Sequence, residues 1–418
     1  MRFLTPGTCA LLAFTAAALT LAPREAGALG TRVVDQGAEA TARADAFAAT
    51  ADNPSAVYYN PAGITQLHGT QLLLGGYALT YNSRVDLRVN GDPFDNKYQP
   101  QGVPQIYATF ELPKTPITLG LGIYSPFGFS TKYSDDVPFR SIAREGSIEW
   151  VTINPVIAFK LHPTLSLAVG PMINIAKATL VQGVRAPGDE FRFKGDDVGI
   201  GGNAGLLWQP HPMHSFGVTY TSPTTMHFEG HTHLRYDGFV QPVEVFPGVV
   251  VPFPVPGADR REEASANFHF PQHVVLGYSF RPRDDWNFEF NADWTDWDSL
   301  NTVTLKQKTS GNLAIPFNWK SSWIYEFGVT KKFGAWKLSA GYAFSENSVP
   351  AQSFTPLVPD TDRHILALGF GHSWDRIDAF LAYQHTWSGK RNISEGTLAD
   401  GTYKFEANAL TLSLNYRF

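Results

Sequence analysis

Between Trp286 and Trp294 the chain alternates without interruption. Trp286, Phe288, Phe290, Ala292 and Trp294 are apolar, and Asn287, Glu289, Asn291 and Asp293 between them are polar. A period of two places these sets on opposite faces of one β-strand. The pattern returns in Val274, Leu276, Tyr278 and Phe280, and again at the end of the chain. There Leu410, Leu412, Leu414, Tyr416 and Phe418 oppose Thr411, Ser413, Asn415 and Arg417. Alternation alone also suits a soluble antiparallel sandwich.

Connection lengths separate the two. Strands are predicted near 70–83, 104–112, 115–125, 147–161, 164–182, 196–209, 214–230, 262–280, 285–305, 319–333, 335–346, 362–373, 376–388 and 402–418, about 14 in all. Every second connection is tight, as at Leu112–Thr115, Leu161–Thr164 and Phe333–Ala335, and the others are long, as at 84–103, 126–146 and 231–261. An even number of antiparallel strands, with short turns on one side and long loops on the other, is the pattern of an all-β transmembrane barrel. A sandwich has no reason to segregate its loops. Composition agrees: charged residues are only 17%, with 30 Phe, 16 Tyr and 10 Trp, yet mean hydropathy is slightly negative. Apolar residues facing lipid and polar residues facing a lumen average near zero. The net charge of −5 gives neither a polybasic surface for nucleic acid nor an acidic tail.

Residues 1–28 read as a secretory leader, with Arg2, an apolar run from Ala10 to Ala22, and Ala26-Gly27-Ala28 as the cleavage site. That run is too short to span a bilayer, and no later stretch of about 18 apolar residues follows it. Cys9 lies inside the leader, so the mature chain has no disulfide to form. The barrel is assigned to residues 70–418. Its last strand ends on Phe418, the aromatic terminus that outer-membrane assembly machinery reads. Together these features place the protein in a Gram-negative outer membrane.

Residues 29–69 do not alternate. Gly37–Ala51 is rich in alanine and predicted to be helical, and Asn53-Pro54 and Asn60-Pro61 each set a capping residue before a proline suited to a first helical turn. Val57, Tyr58, Tyr59, Ile64 and Leu67 argue against a free tail. A small helical hatch inside the barrel is expected.

The run Ala51-Asp52-Asn53-Pro54-Ser55-Ala56-Val57-Tyr58-Tyr59-Asn60-Pro61-Ala62-Gly63 resembles the N-terminal hatch of the FadL/TodX transporters of hydrophobic compounds. Tyr124-Ser125-Pro126-Phe127-Gly128, Thr152-Ile153-Asn154-Pro155, Trp294-Thr295-Asp296-Trp297 and Pro359-Asp360-Thr361-Asp362-Arg363-His364 extend the likeness along the mature chain. The resemblance implies a 14-stranded barrel plugged by the hatch, and a shift of that hatch around Asn60, Pro61 and Ala62 is expected to act as the gate. It also implies a lateral exit at a kinked third strand, here containing Gly120 and Gly122 and running into Pro126. Glycine weakens ladders, but tight packing inside the lumen accounts for Gly120 and Gly122 equally well.

Bulk water and lipopolysaccharide both resist the passage of an oily molecule, so its carrier must offer apolar surfaces in series. The loop 231–261 holds Val245-Phe246-Pro247-Gly248-Val249-Val250-Val251-Pro252-Phe253-Pro254-Val255-Pro256. An exposed run this apolar points to binding, with Phe246, Val249, Val250 and Phe253 as capture residues. Packing against neighbouring loops is the other reading. The prolines are expected to keep the run from pairing as a strand. Phe191 and Phe193, on a loop at 183–195, are expected to help. For a fatty acid, Arg144 and Lys320 are the candidate partners of the carboxylate.

Gly199-Ile200-Gly201-Gly202-Asn203-Ala204 lacks the strand-to-helix context of a dinucleotide site. His211/His214 and His231/His233 bring no third ligand for a metal. No G-x-S-x-G elbow is present, so a barrel hydrolase is the weaker reading. Passive uptake by a single copy, without cofactor, metal or nucleic acid, is the expectation.

Overall fold

The computed structural model describes residues 30–89 and 91–418; the leader and its cleavage site lie outside them. The chain crosses a closed antiparallel barrel fourteen times. The first half runs through β1 (Thr70–Leu87), the short β2 (Pro93–Asp95), β3 (Gln101–Glu111), β4 (Ile117–Tyr124) with β5 (Phe129–Lys132), β6 (Glu145–His162), β7 (Leu165–Gln182), β8 (Glu190–His211) and β9 (His214–Thr221) with β10 (Thr224–Tyr236). A hairpin of β11 (Phe239–Phe246) and β12 (Val249–Val255) follows. The second half comprises β13 (Ala258–Phe270) with β14 (His273–Arg283), β15 (Trp286–Thr295) with β16 (Thr302–Gln307), and β17 (Leu313–Pro316) with β18 (Ser322–Phe333). It ends with β19 (Trp336–Ser345), β20 (Arg363–Ser373), β21 (Ile377–Ser388), the short β22 (Arg391–Ile393) and β23 (Gly401–Arg417). β1 pairs with β23 from Gln71↔Arg417 to Leu87↔Gly401 without a register shift, which closes the cylinder.

Its faces are inverted relative to a soluble protein. Leu410, Leu412 and Leu414 are each nearly half exposed, whereas Thr411, Ser413 and Asn415 are buried. The apolar rows point outward to lipid and the polar rows inward, as a membrane barrel requires.

Five crossings are interrupted, at 125–128, 222–223, 271–272, 296–301 and 317–321. Pro126, Pro223 and Pro271 lie in three of these gaps, and Pro316 precedes a fourth. A residue without an N–H and with φ fixed ends a ladder. The sequence reading expected three of these crossings to be continuous, over 214–230, 262–280 and 285–305, because alternation resumes beyond each break; it ended one strand at 125 and began another at 319, and so left β5 and β17 in loops.

The apolar loop run does pair, contrary to expectation. β11 and β12 form a ribbon in which Val240 faces Pro254 and Pro242 faces Pro252. Alternate spacing directs the missing N–H groups of these prolines to one side of the strand, where no partner needs them. Phe191 and Phe193 lie in β8 rather than on a loop.

Residues 30–67 fill the barrel, and nearly all are buried. The alanine-rich stretch is not the helix predicted: only Ala38–Thr41 makes a turn of α-helix, and Ala44, Asp45 and Ala51 take positive φ of 49°, 67° and 39°. Alanine serves here for its lack of bulk. Gly217 and Gly277 are register partners in the wall, as are Gly328 and Gly341. A Cβ on Gly217 would overlap the Ala48 carbonyl, and one on Gly341 the backbone of Arg43. Small residues on both sides let hatch and wall touch backbone to backbone.

Candidate functional site

The polar face of β15 is the rail that holds the hatch. Asn287 donates to Thr50 Oγ1 (2.7 Å) and Asn291 to the Asp45 carbonyl (3.2 Å). Arg43 donates to Glu289 (2.9 Å), which also accepts from the Ala49 N–H (2.7 Å) and from the Thr50 hydroxyl. Arg32 donates to Asp293 (2.7 Å) and to Thr295 (2.9 Å). Arg43 and Glu289 are both wholly buried. Such a pair is held by its geometry and its extra hydrogen bonds, and removing one member leaves a charge stranded.

Asn60 pins the next segment. Its side-chain N–H groups reach the carbonyls of Ala48 (2.7 Å) and Leu206 (3.0 Å), while its oxygen accepts from Ala62 N (3.2 Å) and caps the 3₁₀ turn Pro61–Gln66. That turn packs on β4, β6, β7 and β8.

A seam lies in the wall at the third crossing. β3 pairs with β4 only from Ile106 to Glu111, and β5 pairs with β6 alone, so residues 101–105 of β3 face no strand on that side. Side chains span the gap: Tyr81 and Gln101 both donate to the Ser130 carbonyl, at 2.7 and 2.9 Å. The hatch's leading segment runs along it, Val33 N donating to Pro126 O (2.9 Å) and Gly128 N to Thr31 O (2.7 Å). This strap supplies the ladder bonds that the break at Pro126 removes.

Beside the strap the lumen holds an apolar cavity of about 110 Å³. Phe129, Ile148, Phe193, Phe228, Phe268 and Trp319 are among its walls, Thr31 lies at its edge, and none of the lining residues is charged.

Residues 19–418 match the family model described as outer membrane protein transport protein (OMPP1/FadL/TodX). The chain belongs to this family. It is 22% identical over 348 residues to the long-chain fatty acid transport protein of Escherichia coli (strain K12), covering 72% of this chain and 73% of the relative. It is 23% identical to the 47 kDa outer membrane protein of Pasteurella multocida (strain Pm70), covering 96% and 97%. Among solved structures it superposes on a Pseudomonas aeruginosa FadL homologue with TM-score 0.79, 19% identity, and coverage of 93% of this chain and all of the other. The Pseudomonas putida toluene transporter TodX gives TM-score 0.68 and 15% identity over 87% and 93%.

In this FadL/TodX-family barrel the candidate residues separate into groups. Gly120 and Gly122 lie within β4, away from the break, and a Cβ on either would press on Val57 at 2.9 Å. They make room for the hatch, whereas Pro126 sits in the seam itself. Phe193 lines the cavity, and Phe191 packs on the cluster around it. Arg144 is held by Asp135 (3.1 Å) and Glu190 (3.0 Å) and does not line the cavity. Lys320 follows Trp319 but is itself exposed. Phe246, Val249, Val250 and Phe253 are exposed along the β11–β12 ribbon. The sequence reading missed the cavity's other walls. They come from the strap, from β5, β6, β7, β10, β13, β16 and β17, from the break at 317–321 and from Val358, and only the fold brings them together.

Proposed function

We propose that this protein carries hydrophobic compounds across the outer membrane by passive diffusion, in the class to which long-chain fatty acids and monoaromatic hydrocarbons belong. The β11–β12 ribbon gathers substrate outside, the apolar cavity holds it, and the seam between β3 and β5 releases it sideways once the strap 31–36 yields. The observation that carries this reading is the position of Thr31. It lines the cavity and, through its carbonyl, accepts from Gly128 in the seam. One short movement of the strap therefore alters both compartments. Binding supplies the energy, since apolar surface is favoured over water at every step. Asn60, Pro61 and Ala62 act as the anchor about which the hatch shifts. Phe418, at the end of the closing strand, is assigned to recognition by the assembly machinery, and lipopolysaccharide to the outer ring of loops around a single barrel.

Uptake of radiolabelled oleate and toluene, measured separately in cells lacking their own carriers, tests the reading. Saturable uptake of either, with no large steady ion conductance in planar bilayers, is expected. Open-pore conductance without facilitated uptake would instead identify a diffusion porin.

A further inference from the structure

The lipid-facing wall between β18 and β21 is not evenly covered. Ala340 lies in register between Val329 and Leu368, with Leu338 next to it on the same face of β19. Leu338, Leu368 and Phe370 stand out from the wall, each about half exposed. An alanine among such side chains leaves a groove of about 570 Å³, lined mainly by apolar residues.

The groove is charged at one end only. Lys331, its single charged lining residue, faces Leu338 in register, one outward row nearer the turn at Gly334. A lysine that faces lipid is tolerated close to the membrane surface and not at its centre. Trp336 and Trp374, both about half exposed, mark that surface beside the turns after β18 and β20. Tight turns lie on the periplasmic side, where the leaflet is phospholipid and lipopolysaccharide is absent.

The Lys331 ammonium lies 4.8 Å from the Trp286 ring centre and 5.4 Å from that of Phe333, and it pairs with Asp285. Arg283 takes the same carboxylate at 2.8 Å. Across 281–285 and 331–332, Arg281, Arg283, Lys331 and Lys332 meet only Asp284 and Asp285. The mouth of the groove is therefore positive, and an anionic group complements it.

We infer that the groove binds one phospholipid of the periplasmic leaflet. An acyl chain lies over Ala340, and the phosphate sits against Lys331 and Arg283. A lysine with its stem on apolar surface and its charge at the interface suits that division. The site shares no residue with the seam or with the apolar cavity.

Native mass spectrometry of the full-length protein in detergent, titrated with phosphatidylglycerol and with phosphatidylcholine, tests it. A single equivalent should bind at low lipid, with phosphatidylglycerol favoured about fivefold, the worth of about one cation at a membrane surface. Ala340→Trp fills the groove and should weaken the binding of both lipids. Lys331→Gln should bring the ratio of the two close to one while phosphatidylcholine binding holds. Asp285→Asn, which frees a cation without touching the groove, should raise that ratio. Binding unchanged in Ala340→Trp overturns the inference, as does a ratio that either charge variant leaves unchanged. Lipid-free dimers that Ala340→Trp dissociates would give the groove to a second copy instead.

Discussion

The side-chain amide of Gln36 takes the place of a neighbouring strand at Ser125. Its Nε2 donates to the Ser125 carbonyl at 2.8 Å, and its Oε1 accepts from the Ser125 N–H at 3.3 Å. The same amide nitrogen also reaches the Val33 carbonyl (3.0 Å). Gln36 thus satisfies both backbone groups of the residue at which the third crossing breaks. In Gln36→Leu those buried groups lose their partners, at a cost of about 1–3 kcal/mol. Thermal unfolding should fall accordingly, and amide exchange should rise at residues 31–36 before it rises elsewhere.

Arg32 and Phe127 face each other across the strap and the seam. The flanking bonds, Val33 N to Pro126 O and Gly128 N to Thr31 O, make them a non-hydrogen-bonded pair, the closer of the two antiparallel spacings. Cysteines at these two positions should form a disulfide under oxidation. Uptake of hydrophobic substrate should stop in the oxidised protein and return with dithiothreitol. Equal uptake in both states would place the exit elsewhere.

Glu289 binds the hatch through Arg43, Ala49 and Thr50. Glu289→Ala leaves the Arg43 charge buried without its partner, and the hatch should be destabilised by about 3–5 kcal/mol. Pairing Glu289→Ala with Arg43→Met should recover part of that loss. Ion conductance across planar bilayers provides the readout, with the single variant flickering open and the double variant quieter.

Much of this architecture was legible in the sequence, but unevenly. The alternation from Asn287 to Asp293 identified a lumen-facing polar row, because a strand's period is a local property. Its partner was not legible: Arg43 and Glu289 are 246 residues apart, and no local pattern announces such a pair. Phe193 falls in a predicted loop that is charged at Glu190, Arg192, Lys194 and Asp196. β8 nevertheless continues through them, since a ladder can extend beyond the bilayer where lipid no longer demands apolar residues. The alanines of 38–51 suggested a helix by propensity, which tertiary contact overrides. The Asn60-Pro61 cap formed as read, because a cap depends only on its nearest neighbours.

Asp45 makes hatch docking sensitive to pH. Burial, and then repulsion from Asp35 and Glu326, pushes its carboxyl well above the ordinary aspartate range, and burial raises Asp35 too. Around them Tyr59 donates to Asp45 and Gln384 to Asp35, while Arg32, which lines the same small cavity as Asp45, is taken by Asp293. A carboxyl raised in the folded state contributes stability that is present at low pH and lost as pH rises through the raised value. Exchange protection of residues 38–51 should therefore decline as pH rises above the ordinary aspartate range and become flatter in Asp45→Asn. Protection that increases with pH in the wild type would contradict this assignment.

The β11–β12 ribbon gives the clearest separation of function from stability. Phe246 and Phe253 are 71% and 60% exposed, and neither belongs to a buried cluster. Replacing the exposed residues 240–254 by a short Gly-Ser turn keeps Phe239 under the Arg185 guanidinium and removes little packing, so the melting temperature should change little, since surface changes usually stay within about 0.5 kcal/mol. Capture should suffer instead. A surface this apolar raises the local concentration of an oily solute, which matters only when that solute is scarce. Uptake should fall several-fold at limiting substrate and approach the wild-type rate at saturation. Unchanged uptake at limiting concentration would remove the ribbon from the mechanism, whereas a proportional loss at all concentrations would place it in the passage step.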